Sequence, residues 1–251
     1  MMPVVTFLSD FGFKDAYGAQ VKAVILSGVP DARIIDITHD IAPFNIISAG
    51  WLLATSFRFF PPGTVHLVVV DPGVGTGRAI LTVRKEDQMF VGPDNGVFSF
   101  LYPADEVREV TWRPQGAVSS TFHGRDIFAP LVVKILAGHG LPVPGMPKPD
   151  PVVLDIKSPM VVHIDTFGNV ITTIGCDHIR EGCVIGISGK DIDLVAHSFA
   201  DIPEGMLGLI CGSASTIEIV ANRGNAAQIL GAQVGMRVSL KEGPSAAGPS
   251  A

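Results

Sequence analysis

Apolar and polar positions alternate between two periods in the first 140 residues. Short β-branched runs with strand character are separated by stretches whose apolar residues recur at helical spacing. The predicted strands are Val4–Leu8, Arg33–Ile37, Thr64–Val70, Ala79–Arg84 and Gln88–Val91. The predicted helices run from about Ala16 to Ser27 with Asp15 as the cap, from about Ile46 with Asn45 as the cap, and from Arg125 to Ala137. This alternation predicts an α/β layer structure with a largely parallel central sheet.

Prolines at alternate positions interrupt this pattern between Gly140 and Pro151, where the chain reads GLPVPGMPKPDP. Proline fixes φ and removes an amide donor, so the segment is expected to be an extended linker. We therefore predict an N-terminal α/β domain over residues 1–141, a linker over 142–151 and a second domain over 152–240. Residues 241–251, which include GPSAAGPSA, are expected to form a disordered tail.

The second domain has only strand-type runs, divided by glycine and aspartate turns, and no convincing helix. Six short runs carry the pattern: Val161–Ile164, Val170–Ile174, Cys183–Ile187, Leu207–Cys211, Thr216–Val220 and Arg237–Leu240. Their spacing favours a small antiparallel barrel or sandwich.

The composition of the chain argues against several classes of binding partner. The net charge is -6 and no basic run occurs, which argues against nucleic acid. The longest apolar run is strand-sized, and no basic segment precedes the first apolar stretch, so we expect no membrane span, no signal peptide and a cytoplasmic location. The three cysteines, Cys176, Cys183 and Cys211, lack metal or redox spacing and are expected to be reduced thiols. Charged residues make up only 17% of the chain, which hints that other subunits cover part of its surface.

Three polar segments follow or precede predicted elements where an open parallel sheet binds ligands. These segments are SDFGFKD after the first strand, DPGVGTGR after the central strand and FHGRD before a helix. The glycine run GVGTGR leads into the β-type stretch AILTVR rather than a helix, so it is not a dinucleotide-binding fingerprint.

Each polar residue also has a purely structural interpretation. Asp10 suits a turn, Asp15 a helix cap and Asp71 the end of a strand, and a single histidine such as His123 is more often structural than catalytic. A hard-cation site built from Asp10, Asp71 and Asp126 is conceivable, but carboxylate spacing alone does not specify one, and we predict no metal.

The combination of motifs is more specific than any one of them. In order, the chain reads FLSDFGFKDAYGAQVKAVI, ITHDIAPFNI, FPPGTVHLVVVDPGVGTGR, VGPDNGVFS, FHGRDIFAP and HIDTFGNVITTI. Together these segments resemble the S-adenosylmethionine (SAM) hydroxide adenosyltransferase family, the SAM hydrolases, which are related to the fluorinating and chlorinating enzymes. The resemblance spans residues 4 to 240. It implies an N-terminal α/β domain, a C-terminal antiparallel β-barrel and a homotrimer whose active site lies between one subunit's N-terminal domain and its neighbour's C-terminal domain.

The resemblance also assigns residues. The catalytic positions match Asp71, Arg78 and His123, and Asp10 matches a carboxylate that holds both ribose hydroxyls. The other substrate-binding matches are Asp15, Asp165 and Ser213 around the methionine part, Phe167, Asn169 and Asn222 at the adenine end, and Phe44 as an apolar wall.

Hydrolysis of SAM to adenosine and methionine follows as the predicted activity, with no cofactor. The sulfonium makes methionine a competent leaving group, so the reaction needs an aligned water at the ribose 5′ carbon. Asp71 and Arg78 would orient this water, and His123, with an ordinary pKa near 6.5, is the better proton acceptor. A carboxylate at the nucleophile site disfavours a halide. The alternatives are a SAM-dependent halogenase, a non-catalytic adenosyl-binding protein and a metal-dependent nucleoside hydrolase.

Overall fold

Seven strands from the first 147 residues of the chain form one sheet. The computed structural model describes residues 2–138 and 144–242. The strands are β1 (Val4–Ser9), β2 (Arg33–Thr38), β3 (Val65–Val69), β4 (Ile80–Lys85), β5 (Gln88–Pro93), β6 (Glu106–Val110) and β7 (Gly145–Pro147). Their order is β2-β1-β3-β5-β4-β6-β7, in which β2, β1, β3 and β5 run parallel and the remaining strands pair antiparallel. The predicted α/β class is confirmed.

Three helices cover both faces of this sheet: α1 (Tyr17–Gly28), α2 (Ile46–Ser56) and α3 (Ala129–Ala137). Phe7 of β1 packs in the cluster that contains α1 and α3, whereas its neighbour Leu8 packs in the cluster that contains α2. Successive strand residues point to opposite faces, so a strand covered on both sides reads as a continuous apolar run. This is why β1 and β3 lack polar alternation.

The two predicted helix caps differ in outcome. The Asn45 side chain accepts a hydrogen bond from the Ser48 amide at 3.0 Å, so the predicted cap of α2 is confirmed. Asp15 does not cap α1, because the helix begins at Tyr17 and its N-cap position is Ala16, without a side-chain cap. The predicted cap at Asp15 was therefore wrong, because the helix begins one residue later than expected.

The proline-rich segment contributes to the sheet. Gly145–Pro147 form β7, which pairs with β6 at the sheet edge, where a proline is tolerated. The Val152 amide donates to Asp94 at 2.8 Å, and one compact unit ends at Leu154 while a second begins at Asp155. Residues 145–151 are therefore not a free linker, and residues 142 and 143 lie outside the described part. Of the predicted tail, residues 241 and 242 belong to a strand, and residues 243–251 lie outside the described residues.

The second unit contains two antiparallel sheets. Their strands are β8 (Val161–Ile164), β9 (Val170–Gly175), β10 (Cys183–Ile187), β11 (Lys190–Ile192), β12 (Leu207–Cys211), β13 (Thr216–Ala221) and β14 (Ser239–Glu242). The orders are β12-β13-β9-β8 and β11-β10-β14. Closure of these sheets into a barrel stays a prediction. A short helix, α4 (Ala226–Leu230), corrects the expectation of no helix, because Asn225 caps it and Gly231 ends it in the left-handed conformation.

A disulfide joins Cys176 to Cys211, which corrects the expectation of three reduced thiols. The pairing of β13 with β9 and β12 brings together two cysteines that are 35 residues apart in sequence. Sequence spacing alone cannot reveal such a contact. Cys183 is buried in the core of the same unit.

Loss of this disulfide is expected to destabilise the second unit. For a loop of 35 residues, the chain-entropy model predicts about 3–4 kcal/mol. Denaturant unfolding of the wild type with and without reductant measures the effect, and Cys176→Ser is the control, since it should behave like the reduced wild type under both conditions. Equal midpoints for oxidised wild type and variant would show that the bond adds no stability.

A buried polar chain crosses the centre of the large sheet. Thr6 Oγ1 lies 2.7 Å from His66 Nδ1, and His66 Nε2 lies 2.5 Å from Gln88 Oε1. Because an amide oxygen only accepts, the neutral His66 carries its proton on Nε2 and accepts the Thr6 hydroxyl at Nδ1. Burial lowers the pKa of His66 to about 4.

The lowered pKa of His66 predicts acid destabilisation. The unfolded chain binds this proton below about pH 6.5 and the folded chain only below about pH 4, so stability is full above pH 6.5 and falls as the pH drops towards 4. The loss should reach about 3 kcal/mol. Urea unfolding of the wild type and His66→Gln at pH 7 and pH 4.5 checks this. The variant should lose that part of the pH dependence, whereas the exposed control His197→Gln should keep it.

In the described part of the chain, no helix has both the length and the apolar character to cross a bilayer. The cytoplasmic location stays a prediction.

Candidate active site

A cavity of about 580 Å³ opens where β1 and β3 end. Four predicted site residues line it: Asp10 and Asp71 from the two strand ends, Phe44 from the segment before α2, and His123 from the segment before α3. The sheet thus gathers residues that are more than 100 positions apart in sequence. A second cavity of about 390 Å³ lies at the amino ends of the same strands, and its lining contains none of the predicted site residues.

Asp71, Arg78 and His123 form one hydrogen-bonded cluster. Arg78 Nε donates to Asp71 Oδ1 at 2.6 Å, and Arg78 Nη2 donates to Asp71 Oδ2. The same Nη2 lies 3.2 Å from His123 Nδ1. The side chains of the ion pair are only 9% (Arg78) and 5% (Asp71) exposed. The structure therefore brings the three predicted catalytic residues together.

The loop after β3 folds back so that Arg78 meets Asp71. Backbone hydrogen bonds from Val74 to Asp71 and from Thr76 to Gly73 form two successive turns. Gly75 has a φ of +78°, and a Cβ there would lie 2.4 Å from the Ser120 carbonyl oxygen. Only glycine fits this position, so the glycine-rich run builds the turn that returns the arginine.

His123 immediately precedes a π-helical turn, Gly124–Phe128, that leads into α3. Burial, and then the positive charge of Arg78, lower the pKa of His123. Because a guanidinium only donates, His123 Nδ1 is the acceptor in their contact, and the neutral imidazole carries its proton on Nε2. The ring is thereby held in one tautomer.

Asp10 lies next to the last residue of β1 and accepts a hydrogen bond from the Phe44 amide at 2.9 Å. Phe44 adopts a φ of 67°, which is unusual for a residue with a side chain, and the residue is 66% exposed. Burial raises the pKa of Asp10. The bond to Phe44 occupies one carboxylate oxygen and leaves acceptor sites on Asp10 for a ligand.

Three aromatic rings missed by the sequence reasoning complete the wall. Phe11, Tyr17 and Phe122 line the cavity, with ring centroids 5.2 to 5.8 Å apart in tilted or edge-to-face geometry. They lie within the segments FLSDFGFKDAYGAQVKAVI and FHGRDIFAP. The available signal was their position in the chain, since Phe11 directly follows Asp10 and Phe122 directly precedes His123. Asp15 is exposed and does not line this cavity.

The remaining predicted binding residues belong to the second unit. Asp165 Oδ1 accepts from the Phe167 and Asn169 amides at 2.9 and 2.8 Å, and Asp165 Oδ2 accepts from Asn169 Nδ2 at 2.8 Å. This turn leaves Phe167 75% exposed at a cavity of about 680 Å³ that Asn169 also lines. Three predicted residues are thus together here.

Asn222 and Ser213 fit their predicted roles less directly. Asn222 Nδ2 donates to the Ile202 carbonyl at 2.6 Å, so this amide group is committed to the main chain. Ser213 is exposed in the turn after β12, between Cys211 and Ser215. Among the described residues, no group of three histidine, cysteine, aspartate or glutamate side chains is arranged to hold a metal ion.

Residues 5–144 match the model of the SAM hydroxide adenosyltransferase N-terminal domain, and residues 160–239 match that of the C-terminal domain. The chain belongs to the SAM hydroxide adenosyltransferase family. Both halves of the family pattern are therefore present, in the expected order.

This chain has relatives in two groups, the (R)-S-adenosyl-L-methionine hydrolases and the fluorinases. It is 35% identical to an (R)-S-adenosyl-L-methionine hydrolase of Thermus thermophilus, over 95% of this chain and 100% of the relative. It is 36% identical to one from Methanocaldococcus jannaschii, over 71% and 70%. A fluorinase of Actinopolyspora mzabensis is 24% identical over 72% of this chain and 75% of its own length. The hydrolases are thus more similar than this fluorinase.

The fold of this family member also matches a solved structure. The crystal structure of an uncharacterized conserved protein from Thermotoga maritima has a TM-score of 0.85 and 38% sequence identity, covering 94% of this chain and 99% of that one. The family and the fold are therefore established, whereas the roles of individual site residues stay predictions.

Proposed function

We propose that this protein hydrolyses SAM to adenosine and L-methionine by attack of water at the ribose 5′ carbon. The observation that carries the proposal is the Asp71–Arg78–His123 cluster, of which Asp71 and His123 line the cavity that Asp10 also lines. The relatives at 35% and 36% identity, which are named as hydrolases of this compound, support it.

Asp10 holds the ribose. A carboxylate accepts hydrogen bonds from two vicinal hydroxyls, and Asp10 retains free lone pairs beyond its bond to Phe44. The aromatic rings of Phe11, Tyr17 and Phe122 give the cavity an apolar wall that excludes bulk water from the sulfonium.

The chemical step is a displacement at carbon. The water oxygen forms a bond to C5′ while the C5′–sulfur bond breaks, and the electron pair of that bond stays on sulfur as the neutral thioether of methionine. The oxygen, now bonded to carbon, is positively charged until it releases one proton. The reaction as proposed needs no cofactor, because the substrate brings its own leaving group.

We assign the immediate acceptor of that proton to Asp71. His123 Nδ1 is engaged by Arg78, and its Nε2 carries the ring proton, so the imidazole has no free lone pair in this arrangement. Asp71 keeps two of its lone-pair positions beside the two that Arg78 occupies. A carboxylate is a weak base, but the proton of a protonated alcohol is acidic enough for it. His123 then holds Arg78 and donates from Nε2.

The methionine and adenine ends involve the second unit. Asp165, with Asp15 and Ser213, supplies acidic and hydroxyl partners for the amino acid part, and Phe167, Asn169 and Asn222 bind the adenine. We further propose a homotrimer in which a neighbouring subunit completes each site, with the second unit closed into a β-barrel and the enzyme in the cytoplasm.

Product identification tests the proposal against its alternatives. Incubation with SAM should yield adenosine and methionine in equal amounts, and the yield should be unchanged by chloride and by EDTA. Formation of 5′-chlorodeoxyadenosine would favour a halogenase, and tight binding without products would favour an adenosyl-binding protein. Loss of activity with EDTA would indicate a metal-dependent hydrolase.

The lowered pKa of His123 predicts the acid limb of turnover. Arg78 needs the neutral ring as its acceptor, and protonation of His123 would set two cations against each other. Because its pKa lies below the ordinary 6.5, the acid limb of kcat at saturating SAM should have its midpoint below pH 6.5. A pH profile of kcat checks this, and a limb with its midpoint above 6.5 contradicts it.

A further inference from the structure

A second buried contact between a hydroxyl and a histidine lies next to Asp10, the residue proposed to bind the ribose. Ser9 Oγ is 2.7 Å from His39 Nδ1, and these two residues are 0% and 2% exposed. His39 Nε2 lies 3.2 Å from Asp36 Oδ1 without the alignment of a hydrogen bond, and Lys22 Nζ lies 2.5 Å from Asp36 Oδ2. None of these residues takes part in the proposed chemistry.

The directions of these hydrogen bonds are consistent with one arrangement. The Phe11 amide donates to Ser9 Oγ at 3.4 Å, which leaves the serine hydroxyl proton for His39 Nδ1. Neutral His39 then carries its proton on Nε2, towards Asp36. Burial lowers the pKa of His39, in keeping with the neutral form.

Serine, histidine and acid also make up nucleophilic triads, but this arrangement is not one. Ser9 is fully buried, so no substrate carbon can reach its oxygen. The contact instead joins the carboxyl end of β1 to the residue that follows β2. The contact therefore holds a neighbouring residue in place and takes no part in a chemical step.

The positioned group is Asp10. Asp10 lies between Ser9 and Phe11, which are bridged by the serine oxygen, and the next amide, Gly12, donates to the His39 carbonyl at 2.8 Å. On its other side, Asp10 is held by the Phe44 amide. The backbone around Asp10 is therefore fixed from both directions by the segment that follows β2.

We propose that the Ser9–His39 contact is a positioning device that sets the Asp10 carboxylate for recognition of the 2′,3′-diol of an adenosyl ligand. Ser9 and His39 are positioning residues that act through Asp10. The inference rests on the proposed ribose role of Asp10 and deepens it, because diol selectivity then depends on two residues that never touch the ligand.

A matched control exists on the same strand. Thr6 Oγ1 makes the same kind of contact with His66 Nδ1, also at 2.7 Å and fully buried, but without the ribose loop beside it. Ser9→Ala and Thr6→Val each remove one buried hydroxyl-to-histidine hydrogen bond. A general loss of stability should affect both variants alike, whereas a positioning role should appear only in the first.

Calorimetric titration of the full chain with adenosine and with 2′,3′-dideoxyadenosine tests the inference. The wild type should prefer adenosine. Ser9→Ala should weaken adenosine binding by about tenfold and leave dideoxyadenosine binding unchanged, which is the effect expected from one mispositioned hydrogen-bonding group. Thr6→Val should preserve the wild-type ratio of the two affinities.

Each result decides the matter. If Ser9→Ala weakens both ligands equally, or neither, the positioning role is overturned while the diol role of Asp10 stands. If the wild type does not distinguish the two ligands, both ideas are overturned. Should Ser9→Ala fail to fold, His39→Asn and His39→Leu replace it. The asparagine keeps a polar atom near the Nδ1 position and should retain the adenosine preference, and the leucine should lose it.

Discussion

Asp71→Asn is expected to lower kcat for SAM hydrolysis by about 10²- to 10⁴-fold. The amide keeps the size of the side chain but removes the anion that binds Arg78 through two hydrogen bonds and that takes the proton from the attacking water. The KM should change little, because the reacting water contributes little to ground-state binding. Chromatographic initial rates over a range of SAM concentrations give both constants.

Glu86→Gln is the matched control for this change. Glu86 also accepts hydrogen bonds from one arginine, Arg58, through both carboxylate oxygens, but the pair lies on the exposed surface. Exposed ion pairs contribute little to stability, and this pair lies outside the candidate site. The kcat of Glu86→Gln should therefore equal that of the wild type. If Asp71→Asn retained more than about a tenth of wild-type kcat, a role in accepting the proton would be untenable.

Asp10→Asn is expected to lower kcat/KM by roughly 10²- to 10³-fold. The asparagine oxygen can still accept from the Phe44 amide, but a neutral amide accepts less strongly from two hydroxyls, and its NH₂ group donates where the diol also donates. Charge-assisted hydrogen bonds contribute about 1.5–3 kcal/mol each, so losing both would lower kcat/KM by about 10²- to 10⁴-fold. The weaker hydrogen bonds that the amide can still make keep the expected loss in the lower part of that span.

A substrate analogue without the 2′-hydroxyl isolates the ribose contact. On this analogue, Asp10→Asn should cost clearly less in kcat/KM than on SAM, because one of the two contacts is already absent. An equal loss on both substrates would mean that Asp10 acts on something other than the ribose, such as the shape of the loop.

Sequence reasoning located most of the large sheet because its physical signals are local. β1 and β3 are apolar on both faces and bounded by polar turns, and Asn45 caps the helix that follows it. The misses share the opposite property. β7 was hidden among prolines, since only its pairing with β6 makes it a strand, and the disulfide depends on the register between β9 and β13.

In the candidate site, too, local motifs could be recognised in the sequence, whereas contacts between distant residues could not. Motif order was sufficient to select Asp71, Arg78 and His123, and the turn at Gly75 explains why glycines lie between the first two. The sequence could not reveal that Arg78 occupies His123 Nδ1, which moves the proposed proton acceptor to Asp71. Nor could it pair Ser9 with His39, since their contact arises from the parallel register of β1 and β2.

Hydrolysis in water enriched with oxygen-18 tests the central claim most directly. Attack of water at C5′ predicts adenosine that carries one oxygen-18 in its 5′-hydroxyl and methionine that carries none, as read by mass spectrometry of both products. Label in methionine, or adenosine without label, would contradict displacement at C5′ by water held at Asp71.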